Sequence, residues 1–241
     1  MSESTPLYNS RITKVYIQYL SKFYPDIDLE AVLNEAGIAR YEIEDPAHWF
    51  TQEQQDRLHD ILVARTGNPH IARESGRYST TSAGLGATKQ YALGLMSPAT
   101  IYLLIEKIHA LMSRGANVSA KKIGTNQVEI TAVPKAGVHE KPYQCENRSG
   151  TFESIARMFT DKFAHIDHPS CVHKGDESCR YIISWTKAAK ENVSNELESP
   201  GLATKSIVCP ASIRFDVSLN VSSEFWQCSL ISESLPIQML I

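Results

Sequence analysis

The sequence predicts an α+β fold, an antiparallel sheet with packed helices preceded by an N-terminal helical segment. Three observations predict it. The first part of the chain repeats apolar residues at steps of three and four, the helical period. Two later pairs of short runs alternate apolar and polar residues, as half-buried strands do. An amphipathic stretch lies between those pairs, so helices precede and interrupt the sheet.

The elements follow in order. Along residues 10–37, Ile12, Val15, Tyr16, Tyr19, Leu20 and Phe23 form one stripe on a helix that Pro25 stops. Asp28 then caps a second helix, DLEAVLNEAG, and Gly37 sits where a left-handed residue ends one. Little beside this segment in sequence covers its apolar face. It is buried either on the following domain or against a second chain, and the second route predicts a homodimer through Ile12, Val15, Tyr19 and Phe23. In WFTQEQQDRLHDILVARTG, Thr51 and Gln54 form a capping box and Gly67 ends the helix. Phe50 finds only Gln55 as a staple partner. NPHIARESGRY reads as a short helix, and TTSAGLGATKQYALGL as a glycine-containing loop or broken helix. Its Gly-Leu-Gly lacks both the Lys-Ser/Thr of a phosphate loop and the dinucleotide spacing.

Residues 97–114 carry the strongest helix signal, with Ser97 as N-cap, Pro98 at the first position, and Ile101, Leu104, Ile105, Ile108, Leu111 and Met112 on one face. NVSAKKI and NQVEITAVPK, separated by Gly124-Thr125-Asn126, predict an antiparallel hairpin with one buried face. A helix follows Cys145, and AHID and RYIISW flank a turn at Gly175-Asp176. From Thr186 the composition is that of a linker, and IRFDVSLNVSSEFWQCSLI beyond it alternates without a nameable partner strand. The expected organisation is a helical dimerisation segment over 1–50, an α+β domain over 51–185, and a linker and tail over 186–241.

Composition excludes several classes. The 241 residues are 42% hydrophobic with a formal net charge of −3, and no basic stripe with interleaved aromatics marks a nucleic-acid surface. No apolar run approaches the roughly 20 residues of a membrane span, and no basic stretch leads an apolar one at the N-terminus. The expectation is a cytoplasmic protein. Five cysteines, an odd number with three grouped near histidines, fit a reducing compartment better than a disulfide framework. No Ser-His-Asp order, paired carboxylates or cofactor loop supports an enzyme.

Cys145, His168, Cys171 and Cys179 together offer a tetrahedral set of ligands for Zn²⁺, and a site closed by four protein ligands is structural. His168 and Cys171 lie three residues apart around Pro169, and a hairpin turn through Gly175-Asp176 brings Cys179 to them. The metal would then pin the start of the Cys145 helix. His173 and His165 are reserve nitrogen ligands. Against this stands the ordinary reading of cysteine as a small buried hydrophobe, and a spacing that matches neither standard zinc-finger pattern.

CENRSGTFESIARMF followed by HPSCVHKGDESCRYIISW resembles the 4-vinyl-reductase-like domain, a family related in fold to subunits of vesicle-tethering complexes. Cys145 with Gly150, the run from Cys171 through Gly175-Asp176 to Cys179, and the aromatic strand after it carry the resemblance, which spans roughly residues 66–185. It implies the sensory domain of a bacterial signalling or transcription-regulatory protein, with its output outside this chain. In phenol-responsive members three cysteines and an acidic residue hold the metal; here His168 stands at the acidic position, and zinc accepts either. The family also implies a pocket for a small apolar or aromatic ligand between helices and sheet, for which Trp49, Tyr78, Tyr91, Tyr102, His109 and Phe152 are the candidate lining residues. Core packing is the competing reading for each. Two alternatives remain: an accessory or binding protein for tetrapyrrole or haem chemistry, with His109 or His139 as axial ligand, and a ligand-free dimerisation module.

Overall fold

The computed structural model describes residues 5–81 and 96–186, which belong to one compact unit, Met1–Glu191. The loop expected around Gly-Leu-Gly, the candidate Tyr91, and the tail with Cys209 and Cys228 lie outside the described residues. The α+β class holds, in two layers.

The helical layer runs β1 (Pro6–Asn9), α1 (Ser10–Phe23), α2 (Leu29–Ala36), α3 (Arg40–Glu44), β2 (Trp49–Thr51), α4 (Gln52–Thr66) and α5 (Ile71–Tyr78). Its ends are set by local chemistry. Asn9 Oδ1 accepts from Arg11 N at 3.2 Å, while Asn9 Nδ2 donates to the Pro46 and His48 carbonyls at 3.0 and 3.2 Å and so fixes the start of α1 beside β2. Asp28 caps α2 through the amides of Glu30 and Ala31 at 2.9 and 3.1 Å. The Thr51–Gln54 capping box forms in both directions, at 3.2 and 3.1 Å. Gly37 and Gly67 end their helices at φ 69° and 65°, a region that disfavours a side chain.

Tyr16 and Leu20 of α1, Val32 and Leu33 of α2, Phe50, Leu58 and Leu62 of α4, and Ile71 of α5 form one apolar core. Each such side chain contributes about 1.5–3 kcal/mol by leaving water. Of the four residues of the expected dimer face, Tyr19 is buried, Ile12 packs against the chain's own core, Val15 is partly buried and Phe23 is half-exposed. Part of the stripe is thus covered within the chain, by residues of α2, α4 and α5.

The second layer comprises α6 (Pro98–Leu103), α7 (Ile105–Met112), β3 (Ala116–Gly124), β4 (Gln127–Pro134), α8 (Pro142–Thr160), β5 (His165–Ser170) and β6 (Cys179–Ser184). The sheet is antiparallel throughout, in the order β3-β4-β6-β5. Both expected hairpins are present. The single helix expected over 97–114 breaks at Leu104, whose amide donates to the Thr100 and Ile101 carbonyls, both at 3.1 Å, in one tightened turn. The break changes the buried face: Tyr102 and Ile105 point inward, while Ile108 and Leu111 of the expected stripe are exposed.

Val128, Ile130 and Ala132 of β4 face α8, which returns Phe152, Ile155 and Ala156. On the outer face Glu129 accepts from Lys121 at 2.7 Å and Arg180 at 2.5 Å. The layers meet where α5 crosses α8 backbone to backbone. A Cβ on Gly150 would overlap the Arg73 carbonyl, and one on Gly76 the Asn147 carbonyl. Beside that crossing the buried Glu153 carboxylate bridges Arg73, at 2.6 Å, and Arg77. No helix among the described residues is long and apolar enough to cross a membrane.

Candidate functional site

Three elements converge on one buried point. Cys145 lies in the first turn of α8, Cys171 directly follows β5, and Cys179 opens β6. Cys145 Sγ stands 3.4 Å from Cys179 Sγ, and Cys179 Sγ 4.0 Å from Cys171 Sγ. All three sulfurs lie within 4.8 Å of one another, and none of these residues is more than 6% exposed.

The turn between β5 and β6 explains how the chain delivers two of them. The Cys171 carbonyl accepts from Lys174 N at 2.8 Å and from Asp176 N at 3.3 Å, while Asp176 Oδ2 accepts from Cys171 N at 2.7 Å. Gly175, at φ 95°, supplies the left-handed step that closes the loop. Ser170 Oγ then donates to the Ser178 carbonyl at 2.7 Å and locks the base. Asp176 thus holds the cysteine turn in shape, a role its place in a turn motif did not reveal.

His168 stands beside this trio without joining the close sulfur group. Its ring stacks on Tyr181 with centroids 4.3 Å apart, and its buried Nε2 has no hydrogen-bond partner. The two reserve histidines are exposed, His173 on the loop and His165 at the start of β5. The hydrogen bond from Cys145 lowers the Cys179 thiol, with His168 contributing in the same direction, and the same bond raises Cys145.

A buried cation adjoins the thiols. Arg148, one turn after Cys145 on α8, places Nη1 3.9 Å from Cys145 Sγ and 3.4 Å from Tyr181 Oη, and pairs through Nη2 with Glu140. Glu140 is buried too, and its second oxygen, Oε1, has no partner. The burial of Arg148 alone would favour its neutral form, but Glu140 outweighs that and holds the guanidinium charged. Nothing in the spacing marked Arg148 or Glu140 as part of a site; only the folded chain brings them to the sulfurs.

The five expected lining residues among the described residues lie in different parts of the fold. Tyr102 and Phe152 meet in the core of the second layer, where Tyr102 Oη donates to the Phe152 carbonyl at 2.7 Å and Phe152 packs edge-on against Tyr181. Trp49 lies in the helical layer under the Arg114 guanidinium, 3.7 Å from its ring centre. Tyr78 packs on Tyr19 and Phe23 and borders an open groove of about 380 Å³ on that layer, away from the thiols. His109 is pushed down to about 4 by burial and by the charges of Arg148 and Lys135, and His139 is exposed.

No family model matches this chain, and no curated protein does. Solved structures share its fold. An H-NOX protein from S. oneidensis in the Fe(II)NO ligation state is 14% identical, covering 73% of this chain and 98% of its own, with a TM-score of 0.56. An oxygen-binding H-NOX domain related to soluble guanylate cyclases is 16% identical, covering 78% of this chain and 100% of its own, also at 0.56. A structure described by modulation of haem redox potential through porphyrin distortion is 14% identical, covering 73% and 99%, at 0.57. At such identities the likeness is one of fold.

Two expectations are overturned by this. The resemblance to the 4-vinyl-reductase-like family gives way to the H-NOX fold, because the structural neighbours are H-NOX domains and no family model supports the former. Zinc as the cofactor falls with it: the metal by which those neighbours are described is haem iron.

Proposed function

We propose that this chain is a sensory domain with an H-NOX fold, and that its responsive centre is the buried thiol group, Cys145, Cys171 and Cys179, holding a soft metal ion with His168 as nitrogen ligand. The convergence of three sulfurs from three elements carries this reading. Thiolates select soft cations, and an imidazole with an unpartnered buried nitrogen supplies the natural fourth donor. Such a centre ties the first turn of α8 to the β5–β6 hairpin, so gain or loss of the ion changes how firmly helix and sheet are joined. The role is one of binding and response; catalysis is not part of it.

A second reading is favoured by the fold's neighbours, which are described by haem, nitric oxide and oxygen. Here His109 would hold the iron, since a ring kept unprotonated can donate to a metal. Among the described residues, the space between α8 and the sheet has no room for a porphyrin. Tyr102, Phe152, Ile155, Tyr181 and Ile183 fill the space between α8 and the sheet, and the glycine crossing of α5 on α8 closes the space behind it.

Elemental analysis and the absorption spectrum of the purified protein decide between the two. One sulfur-bound metal ion per chain, absent from Cys179→Ser, is the expected result, and cobalt(II) added to metal-depleted protein should give intense near-ultraviolet thiolate-to-metal bands. A stoichiometric Soret band would establish the haem reading instead. Wild-type protein that gives neither metal nor cobalt bands overturns the thiol centre.

A further inference from the structure

We infer that Arg148, aimed by Glu140, is a positioning residue of the thiol centre, one that compensates the charge of the metal-bound sulfurs. This rests on the reading of the cysteine trio as a metal site and deepens it. Three thiolates around a divalent ion leave a net negative charge even with a neutral imidazole as the fourth donor. That charge would sit among Ile130, Phe152, Ile155 and Ile183, where no solvent screens it. Arg148 supplies the opposite sign from within the same core, with Nη1 at 3.9 Å from Cys145 Sγ.

The surroundings fix where that guanidinium points. Tyr181 Oη accepts from the same Nη1 at 3.4 Å, and Tyr181 in turn stacks on His168, so one aromatic ring touches both the cation and the proposed nitrogen ligand. Glu140 takes Nη2 and leaves its other oxygen without a partner. A carboxylate carrying one strong bond and one bare oxygen in a core is costly to keep. Its function here is to turn the guanidinium so that the remaining edge faces the sulfurs, as outer-shell carboxylates orient the groups around metals.

The two charges make opposite predictions, which separates an electrostatic role from a merely architectural one. Glu140→Gln keeps a side-chain oxygen that can accept from Arg148 Nη2, and with it the aim, but removes the competing anion, so all of the Arg148 charge acts on the sulfurs and cobalt(II) binding should tighten. Arg148→Met in the Glu140→Gln background removes the cation without stranding a buried carboxylate. It should weaken cobalt(II) binding by about 10-fold or more relative to Glu140→Gln, the range seen when outer-shell partners of metal ligands are lost. Arg148→Lys in the wild-type background retains charge but not the fork, and should fall between wild type and the loss of charge.

The measurement is a cobalt(II) titration of the full chain followed by its thiolate charge-transfer absorbance, with circular dichroism showing that each variant is folded. The combined substitution Glu140→Gln with Arg148→Met is the variant built to survive if Arg148→Met alone does not fold. If wild type binds cobalt(II) while Glu140→Gln binds it more weakly and the combined variant matches Glu140→Gln, the compensating role is wrong and the metal reading stands. Absence of the charge-transfer band from wild type overturns the metal reading and this inference together.

Discussion

The helical layer and the sheet layer solve the burial problem differently. Around Leu20, Leu33, Phe50, Leu58 and Leu62 the core is mainly apolar, with a buried Gln55–Thr13 hydrogen bond of 2.7 Å and the unpartnered His59 Nε2 and Ser75 Oγ among its polar inclusions. Around α8 the core also encloses three thiols, an arginine, two glutamates and an unpartnered histidine nitrogen. A buried charge or unpaired polar atom costs stability unless something compensates it. The first layer therefore tolerates buried neutral polar groups, whereas the second concentrates charged groups and thiols at the place where a ligand would compensate them. The glycine crossing of α5 on α8 joins the two, and substitutions on either side of it test whether the division holds.

The largest effect should come from that crossing. Gly150→Ala drives a methyl group into the Arg73 carbonyl, a backbone atom that cannot rotate away. A loss above about 4 kcal/mol is expected, enough to leave little folded chain. A denaturant midpoint close to wild type would mean that the layers are not held at this distance. Leu20→Ala, in the centre of the helical core, should cost about 2–5 kcal/mol through lost contacts and a cavity. The folded fraction of that variant should still give full cobalt(II) charge-transfer intensity, because the cavity lies in the other layer.

What the sequence revealed divides along the same line. Gly37, the Thr51–Gln54 box and the Gly175 turn were legible because each is decided within a few residues. The alternation in β4 was legible because one face of it is buried. The cysteines were legible by chemical type, and the expected grouping of Cys145 with Cys171 and Cys179 is what the fold assembles. Gly76 and Gly150 were not, since a close approach between residues so far apart leaves no local mark. The break at Leu104 was hidden by a stripe that reads as one continuous helix, and it moved burial from Ile108 to Tyr102. The family and cofactor expectations failed for a further reason: cysteine spacing describes a turn, and unrelated folds can share a turn.

A smaller effect appears with pH. Burial alone would raise the Glu153 carboxyl, but the hydrogen bonds from Arg77 and Arg73 outweigh it and hold the group below the usual carboxylate range. With the folded value below the unfolded one, the bridge stabilises fully above the unfolded carboxylate value, near 4.3, and that contribution is lost as pH falls through the folded value. Urea midpoints measured from pH 7 downward should show Glu153→Gln less stable than wild type at neutrality, with the gap narrowing below about pH 4. A gap that stays constant, or widens in acid, would assign Glu153 a packing role only.

The smallest expected effect is the most local, and it asks whether the helical layer answers for itself. Asp28 caps α2 by accepting from two amides that would otherwise face water at the end of a short helix. Asp28→Ala should lower stability by about 1 kcal/mol, the ordinary cost of an N-cap, measured as a shift in urea midpoint. The hydrogen bonds that cap this end of α2 run within the helical layer, so cobalt(II) affinity of the folded protein should stay within error of wild type. An affinity that moved with so small and distant a change would show that the thiol centre draws on the stability of the helical layer, and that the two layers respond as one body rather than as a rigid support and a responsive site.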